Sequence, residues 1–430
     1  MNAPDLSCAT DLPADRSACA ARDAADPLAR FRAAFDLPEG LIYLDGNSLG
    51  PLPRAAATRI EAVVRQEWGA GLIRSWNDAG WIDLPGRVGD RIAGLIGAAP
   101  GSVTAGDSTS INLYKALNAA LSLMPQPTGR SVILSDTGNF PTDLYVAQGL
   151  CAASGGRLHL RTVAPEALAG SVDGDTAVVM ATHVDFRTGR MHDMQAVTRA
   201  AHAAGAAMVW DLAHSAGAVP LDLAASGAEC AVGCGYKYLN GGPGAPAFIY
   251  VRPDLQDRVP PALSGWMGHA APFDFTPDYR PAAGIRRQQV GTPPILSLSA
   301  LDAALEVWAD VDMAALRRKS LALSDLFIAL VERDCAGFGL RLVTPRDHGQ
   351  RGSQASFACP ADLGGGYPVM QALIDAGVIG DFRAPDLLRF GFTPLYLRHV
   401  DVWDAVDRLR QILETRRWDD PRFHARAAVT

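Results

Sequence analysis

Asp211 and Lys237 stand 26 residues apart (237 − 211), each just beyond a short apolar run, 207–210 and 230–233. In an open α/β sheet, ligands bind outside the carboxyl ends of the strands, so a carboxylate and an amine at two such ends can face one ligand. Pyridoxal 5'-phosphate asks for that pair. Its pyridine nitrogen is kept protonated by a carboxylate, which makes the ring an electron sink, and its aldehyde is captured by a lysine amine. Taken singly, Asp211 reads equally well as a helix cap and Lys237 as a solvated amine.

The surroundings add to the pair. Ser108-Thr109-Ser110 opens a helical pattern that continues through Ile111, Asn112, Lys115 and Ala116. Hydroxyls and backbone N–H groups at a helix N-terminus bind phosphate, although the same residues also make an ordinary cap. After the apolar run 131–134 comes Asn139-Phe140-Pro141-Thr142-Asp143, an aromatic face for a planar ring with a carboxylate three residues on. Phe140 alone would equally be a core residue. Thr182 and His183 close the run 177–181 and bring a hydroxyl to the same kind of strand end.

Several segments together carry a family resemblance: Asp211-Leu-Ala-His214-Ser, Gly-Tyr236-Lys237-Tyr-Leu-Asn-Gly-Gly-Pro-Gly, Phe140-Pro-Thr-Asp143, Leu263-Ser-Gly-Trp266-Met-Gly-His269 and Gly291-Thr292-Pro-Pro-Ile. In order and spacing they resemble the kynureninases, from Leu44-Asp-Gly-Asn47-Ser48 through Arg389. That family belongs to the fold-type I pyridoxal-phosphate enzymes. The resemblance implies Lys237 as the Schiff-base lysine, Asp211 as partner of the pyridine nitrogen and Phe140 as the stacking ring, flanked by Pro141 and Thr142. It further implies Thr109, Ser110 and Tyr236 at the phosphate, and Thr182, Asp143 and His214 around the ring. Trp266 and Thr292 are implied to reach the site from the second subunit of a homodimer whose active sites lie at the interface. Arg389 resembles the arginine that grips the substrate's α-carboxylate, a role suited to a planar guanidinium. Asn47, Ser48 and Trp76 are implied near the substrate, with Asn77 and Trp81 as further candidates. Thr292 stands where some members carry Asn, so preference between kynurenine and its 3-hydroxy form stays open.

The implied activity is hydrolysis of L-kynurenine to anthranilate and L-alanine, a step of tryptophan catabolism, with Tyr236 delivering a proton to the β-carbon. Two alternatives share the cofactor. A cysteine desulfurase or related lyase needs a nucleophilic Cys on an exposed loop, whereas Cys359 falls in a strand-like run. A non-catalytic cofactor-binding module would keep the phosphate contacts and lose Lys237 or Arg389, and both are present.

Positioning these residues takes strands that alternate with Ala-rich helices. Apolar runs at 131–134, 177–181, 207–210, 230–233 and 248–251, separated by crossover lengths, predict an α/β domain over 41–300 whose mostly parallel sheet is sandwiched by helices. Helical spacing of Leu301, Leu305, Trp308, Leu321, Leu326 and Leu330 predicts one long helical connection over 300–333. A smaller α+β domain follows over 301–417, with strands at 340–343, 354–359 and 387–392 and helices at 367–376 and 402–414. Residues 1–40 are expected to be a loose arm or a short helix on the surface, and 418–430 a loose tail.

Composition excludes several classes. With 39 Lys+Arg against 46 Asp+Glu in 430 residues, the net charge of −7 lacks the basic excess that nucleic acids attract. The most apolar stretches, 116–124 and 203–210, fall far short of the roughly 20 residues that span a bilayer. Asp5, Asp11, Asp15, Asp23 and Asp26 occupy the first thirty residues where an export signal would be basic and then apolar, which predicts a cytoplasmic protein. Seven scattered cysteines predict free thiols rather than a disulfide framework, and the Cys230/Cys234 pair lacks the second pair a zinc site needs.

Overall fold

The computed structural model describes residues 12–124 and 129–426. The chain divides into two compact units, one formed by 55–186 and 192–306 and the other by 12–54, 187–191 and 307–426.

The first unit is built on a seven-stranded sheet in the order Val103–Ala105, Ala247–Val251, Cys230–Cys234, Ala207–Asp211, Thr176–Thr182, Val132–Asp136, His159–Val163. Four neighbouring pairs are parallel, and the two involving Ala247–Val251 are antiparallel. The interior strands are buried at every residue because helices cover both faces, so they read as continuous apolar runs instead of alternating ones. The core joins Leu113 and Leu117 from the helix Thr109–Ser122 to Ile133, Val178, Met180, Val209, Val232 and Ile249 from the strands. The edge strand His159–Val163 carries His159, Arg161 and Thr162 at partly open positions, so no continuous apolar run marks it in the sequence.

The second unit has a four-stranded antiparallel sheet, Asp381–Arg383, Leu387–Gly391, Gln354–Ala358, Arg341–Leu342, and a parallel pair, Ile42–Tyr43 with Val378–Ile379. Phe327 on the helix Met313–Asp334 centres its core, with ring centroids of Phe390, Phe392 and Phe357 at 4.6, 5.4 and 6.1 Å.

Two expectations are corrected, those for 300–333 and for the tail, and two other segments are placed. The 300–333 connection is two helices, Ile295–Ala304 and Met313–Asp334, because Asp312 caps the second by accepting from Ala314 N at 2.9 Å. Of the two readings of the N-terminal segment, a loose arm or a short surface helix, the described part takes the second. Its helix Arg16–Ala24 ends in Asp23, which accepts from the backbone N of His399 (2.7 Å) and Val400 (3.0 Å) and so caps the helix His399–Glu414. The tail is packed through Trp418 and Phe423, both buried, as far as the described residues run. The segment 187–191 belongs with the C-terminal unit, its strap fixed by Ser356 Oγ donating to the Arg187 carbonyl at 2.5 Å and Thr344 Oγ1 to that of Thr188 at 2.6 Å. Nothing in composition or periodicity marks it.

Candidate active site

Three strand ends of the first unit converge on one cavity of about 590 Å³. Thr182 and Asp211 end neighbouring parallel strands and sit opposite each other in register. Lys237 follows the third strand, Cys230–Cys234, by three residues. The chain then reverses through Asn240-Gly241-Gly242-Pro243-Gly244, where Gly242 and Gly244 hold φ of +84° and +73°, conformations a side chain would strain. Phe140, the residue before the helix Pro141–Ala153, presents its ring to the cavity with 39% of its surface open, and Pro141 supplies the first helical position. Phe186 packs edge-on against it at 5.1 Å, an aromatic that the sequence reading missed although it follows Thr182 by only four residues.

The amine of Lys237 lies 2.9 Å from His214 Nε2, 5.9 Å from the Phe140 ring centroid and 5.8 Å from that of Tyr236. Asp211 accepts from Ala213 N at 2.7 Å and from Asp143. Asp143 sits in the first turn of its helix, where the dipole ordinarily favours a carboxylate anion. Here the balance tips the other way: burial first, and then the facing charge of Asp211, hold the Asp143 carboxyl well above the usual carboxylate range. Burial also raises Asp211, with Lys237 opposing it. The pair therefore keeps a proton on Asp143, which donates to Asp211. Burial likewise raises the Tyr236 phenol, so its proton stays on at neutral pH.

At the other end of the cavity Ser108 caps the helix Thr109–Ser122, accepting from Ile111 N at 3.4 Å. Thr109 and Ser110 begin that helix and line the cavity beside it, with Thr142. Hydroxyls and N–H groups at a helix N-terminus, a stacking ring, a strand-end carboxylate and a part-buried amine are the donor set that pyridoxal phosphate needs, and one cavity holds them all.

The other unit carries a second buried cluster. Arg389, 1% exposed, contacts Asp381 and donates to Ser48 Oγ at 2.6 Å, with Asp45 at 3.8 Å. Arg383 meets the same Asp381 at 2.6 Å. Asn47 is fully buried, and its amide has no hydrogen-bond partner among the described residues. It occupies space that only a glycine at 391 leaves, since a Cβ there would stand 2.1 Å from its Oδ1. Burial, then the charge of Asp381, pushes Asp45 up to about 7. Asp45 and Asp381 were missed from sequence; Asp45 lies inside a motif already singled out, whereas Asp381 meets Arg389 only through antiparallel pairing.

Six expected residues of the first unit do not line the cavity: Trp76, Asn77, Trp81, Pro141, Trp266 and Thr292. Trp266 is 40% exposed and packs on Phe273 at 5.8 Å, and Thr292 is exposed in a proline-bounded loop. Trp76 packs edge-on against Trp81 at 5.9 Å, and Trp81 donates to Glu67 at 2.7 Å.

Residues 316–409 match the family model described as the kynureninase C-terminal domain. A kynureninase of Pseudomonas fluorescens is 56% identical over 417 residues, covering 96% of this chain and 99% of that protein. One of Burkholderia pseudomallei (strain 1106a) is 58% identical with the same coverage. Among solved structures, the cysteine desulfurase of Escherichia coli superposes with a TM-score of 0.71 at 20% identity, over 90% of this chain and 98% of that one. A cystine C–S lyase in complex with cysteine persulfide gives 0.72 at 18%, over 86% and 98%. These two show the fold alone, a large unit on a mostly parallel sheet with a smaller α+β unit.

Proposed function

The chain belongs to the kynureninase family, and from that premise we propose that it hydrolyses L-kynurenine to anthranilate and L-alanine with pyridoxal 5'-phosphate as cofactor. The observation that carries this reading is the single cavity that gathers Lys237, the Asp143–Asp211 pair, the Phe140 ring and the helix N-terminus at Ser108. When bound, the cofactor supplies the electron sink that takes up the pair released as bonds to the substrate's α-carbon are broken.

The chain's own residues do the rest. Lys237 offers the amine for the cofactor's aldehyde and, once released, takes and returns the proton of the substrate's α-carbon; His214, at 2.9 Å, is placed to accept or return that proton. Asp211 holds the proton at the pyridine nitrogen, and protonated Asp143 fixes the Asp211 carboxylate by donating to it. Phe140 stacks on the ring, Thr182 lies beside it, and Ser108, Thr109 and Ser110 take the phosphate. Tyr236 keeps its phenolic proton and gives it to the β-carbon before alanine leaves. Arg389 takes the substrate's α-carboxylate, with Ser48 and Asn47 alongside. Trp76 remains a candidate for the substrate's aromatic ring.

A homodimer is part of the same reading, with Trp266 and Thr292 completing a partner's site. Exposed apolar side chains in the first unit support it: Trp68 at 57%, Leu72 at 60%, Ile73 at 77% and Leu296 at 43%, of which Trp68 and Leu296 line a groove of about 440 Å³ with Trp81. Action in the cytoplasm, within tryptophan catabolism, completes the proposal; among the described residues no helix is long and apolar enough to cross a membrane. A desulfurase reading is disfavoured because Cys359 is buried and its thiol is pushed up to about 12 by that burial.

The test is direct. Purified protein with pyridoxal phosphate and L-kynurenine is expected to release anthranilate, seen by its fluorescence, and alanine in equal amounts. Release of neither product by a protein that binds the cofactor would sink the substrate assignment.

A further inference from the structure

Asp107 lines the cavity together with Ser108, Thr109 and Ser110. A bare carboxylate at that end would repel a phosphate dianion. Its backbone is held in the left-handed region, φ +54°, by three tethers. The Asp107 carbonyl accepts from Ala247 N at 3.0 Å, Gly106 N donates to the Ala247 carbonyl at 2.9 Å, and Asn112 Nδ2 donates to the Gly106 carbonyl at 2.8 Å. The carboxylate itself is bonded to Lys115 Nζ at 2.9 Å. That amine is only 3% exposed, donates also to the Gln288 carbonyl at 2.7 Å, and does not line the cavity.

A buried ammonium is costly unless paired, and burial lowers the pKa of Lys115 while Asp107 opposes the fall. Nothing in a capping turn calls for such a charge one helical turn and more inside the helix. The cavity does, because it must take a dianion beside an aspartate.

Resting on the pyridoxal-phosphate reading of the cavity, we propose that Lys115 is a positioning residue of the phosphate subsite: its buried ammonium neutralises Asp107 and ties that carboxylate back, so the helix N-terminus at Ser108 meets the phosphate without an opposing charge. Lys115 acts through Asp107 and touches neither cofactor nor substrate.

The experiment titrates the apo form of wild type, K115M, D107N and the double variant K115M/D107N with pyridoxal phosphate and, separately, with pyridoxal, which has the same aldehyde and ring but no phosphate. Visible absorbance gives both Kd values, and their ratio isolates the phosphate. Removing one neutralising charge should cost K115M about tenfold or more in that ratio, with the Kd for pyridoxal unchanged. D107N should bind pyridoxal phosphate at least as tightly as wild type relative to pyridoxal, and the double variant should return to within about threefold of wild type. Charge neutralisation thus gives K115M and D107N opposite signs, whereas a merely structural ion pair would weaken both alike and leave the ratio alone. Equal losses in the two single variants, or an unchanged ratio in K115M, overturn the proposal. If K115M fails to fold, D107N and the double variant decide it: a weakened ratio in either overturns it. Wild type that develops no visible absorbance with pyridoxal phosphate overturns the cofactor reading and this proposal with it; a normal wild type with an unmoved K115M ratio overturns this proposal alone.

Discussion

Two charge clusters organise the molecule, and they differ in how many cations stand beside their carboxyls. In the first unit, Asp143 and Asp211 share a proton, and a single lysine amine serves the site. In the second, two cations, Arg389 and Arg383, meet Asp381, and Asp45, raised to about 7 by burial and then by Asp381, stands beside Arg389. A carboxylate pair can lower its cost of burial by keeping a proton; guanidinium groups do not release theirs, so their cluster needs acids beside it. The first arrangement leaves an amine and a carboxylate open to a cavity. The second comes already filled with carboxylates, and any carboxylate ligand of Arg389 enters against Asp45 and Asp381.

The largest expected effect tests the first cluster. Lys237→Ala should abolish the visible absorbance of the bound cofactor and lower kcat by about a thousandfold or more; full turnover by this variant would remove Lys237 from its assigned role. Next comes a contrast between the two acids. If Asp143 carries the shared proton, Asn is a close mimic, so Asp143→Asn should cost less than about tenfold in kcat/KM while Asp211→Asn costs more than about a hundredfold. Equal losses would mean that the proton is not lodged on Asp143.

The second cluster gives smaller effects. Arg389→Lys keeps a cation beside Asp381 and removes the planar fork, so KM should rise roughly tenfold with kcat nearly unchanged. A fall in kcat at constant KM would argue against carboxylate binding by this residue. The least is expected from Asp45→Asn and is seen in stability. Asp45 titrates at about 7 in the folded chain against an ordinary 3.8, so the folded state holds a proton that the unfolded state has released. Its contribution to stability is therefore full below about pH 4 and declines as pH rises toward about 7. Asn removes that decline: the variant should match wild type near pH 4 and exceed it near pH 8 by about 1–3 kcal/mol in urea melts. Parallel stability curves across that range would refute the coupling of Asp45 to its neighbours.

The first cluster was largely legible in the sequence because each member follows a local apolar run. Asp211, Thr182 and Lys237 sit at or just beyond strand ends, and Phe140 precedes a proline-started helix. The second cluster was only half legible. Arg389 was found by resemblance, but the partner that holds it, Asp381, arrives through the antiparallel register of Asp381–Arg383 with Leu387–Gly391, and short strands of two or three residues leave no periodicity to read. Lys115 was hidden for a different reason: on a helix, a lysine looks solvated until the packing of a residue as distant as Gln288 is known. The tail was misjudged because composition does not show that Trp418 and Phe423 are buried, and the N-terminal segment was left between arm and helix because its polar composition says nothing of Asp23 capping a helix at the far end of the chain.

The parallel pair of Ile42–Tyr43 with Val378–Ile379 carries a consequence for synthesis. Most of the first unit lies between residues 55 and 306 and can condense while the ribosome is still at work. The second unit cannot: its first strand has to wait for a partner made 336 residues later (378 − 42). Such a closure is slow because chain entropy is lost before the distant contact forms. The nascent N-terminal segment, with Leu28, Phe35 and Leu44 destined for burial, is thus the stretch most exposed to holding chaperones before the chain is released.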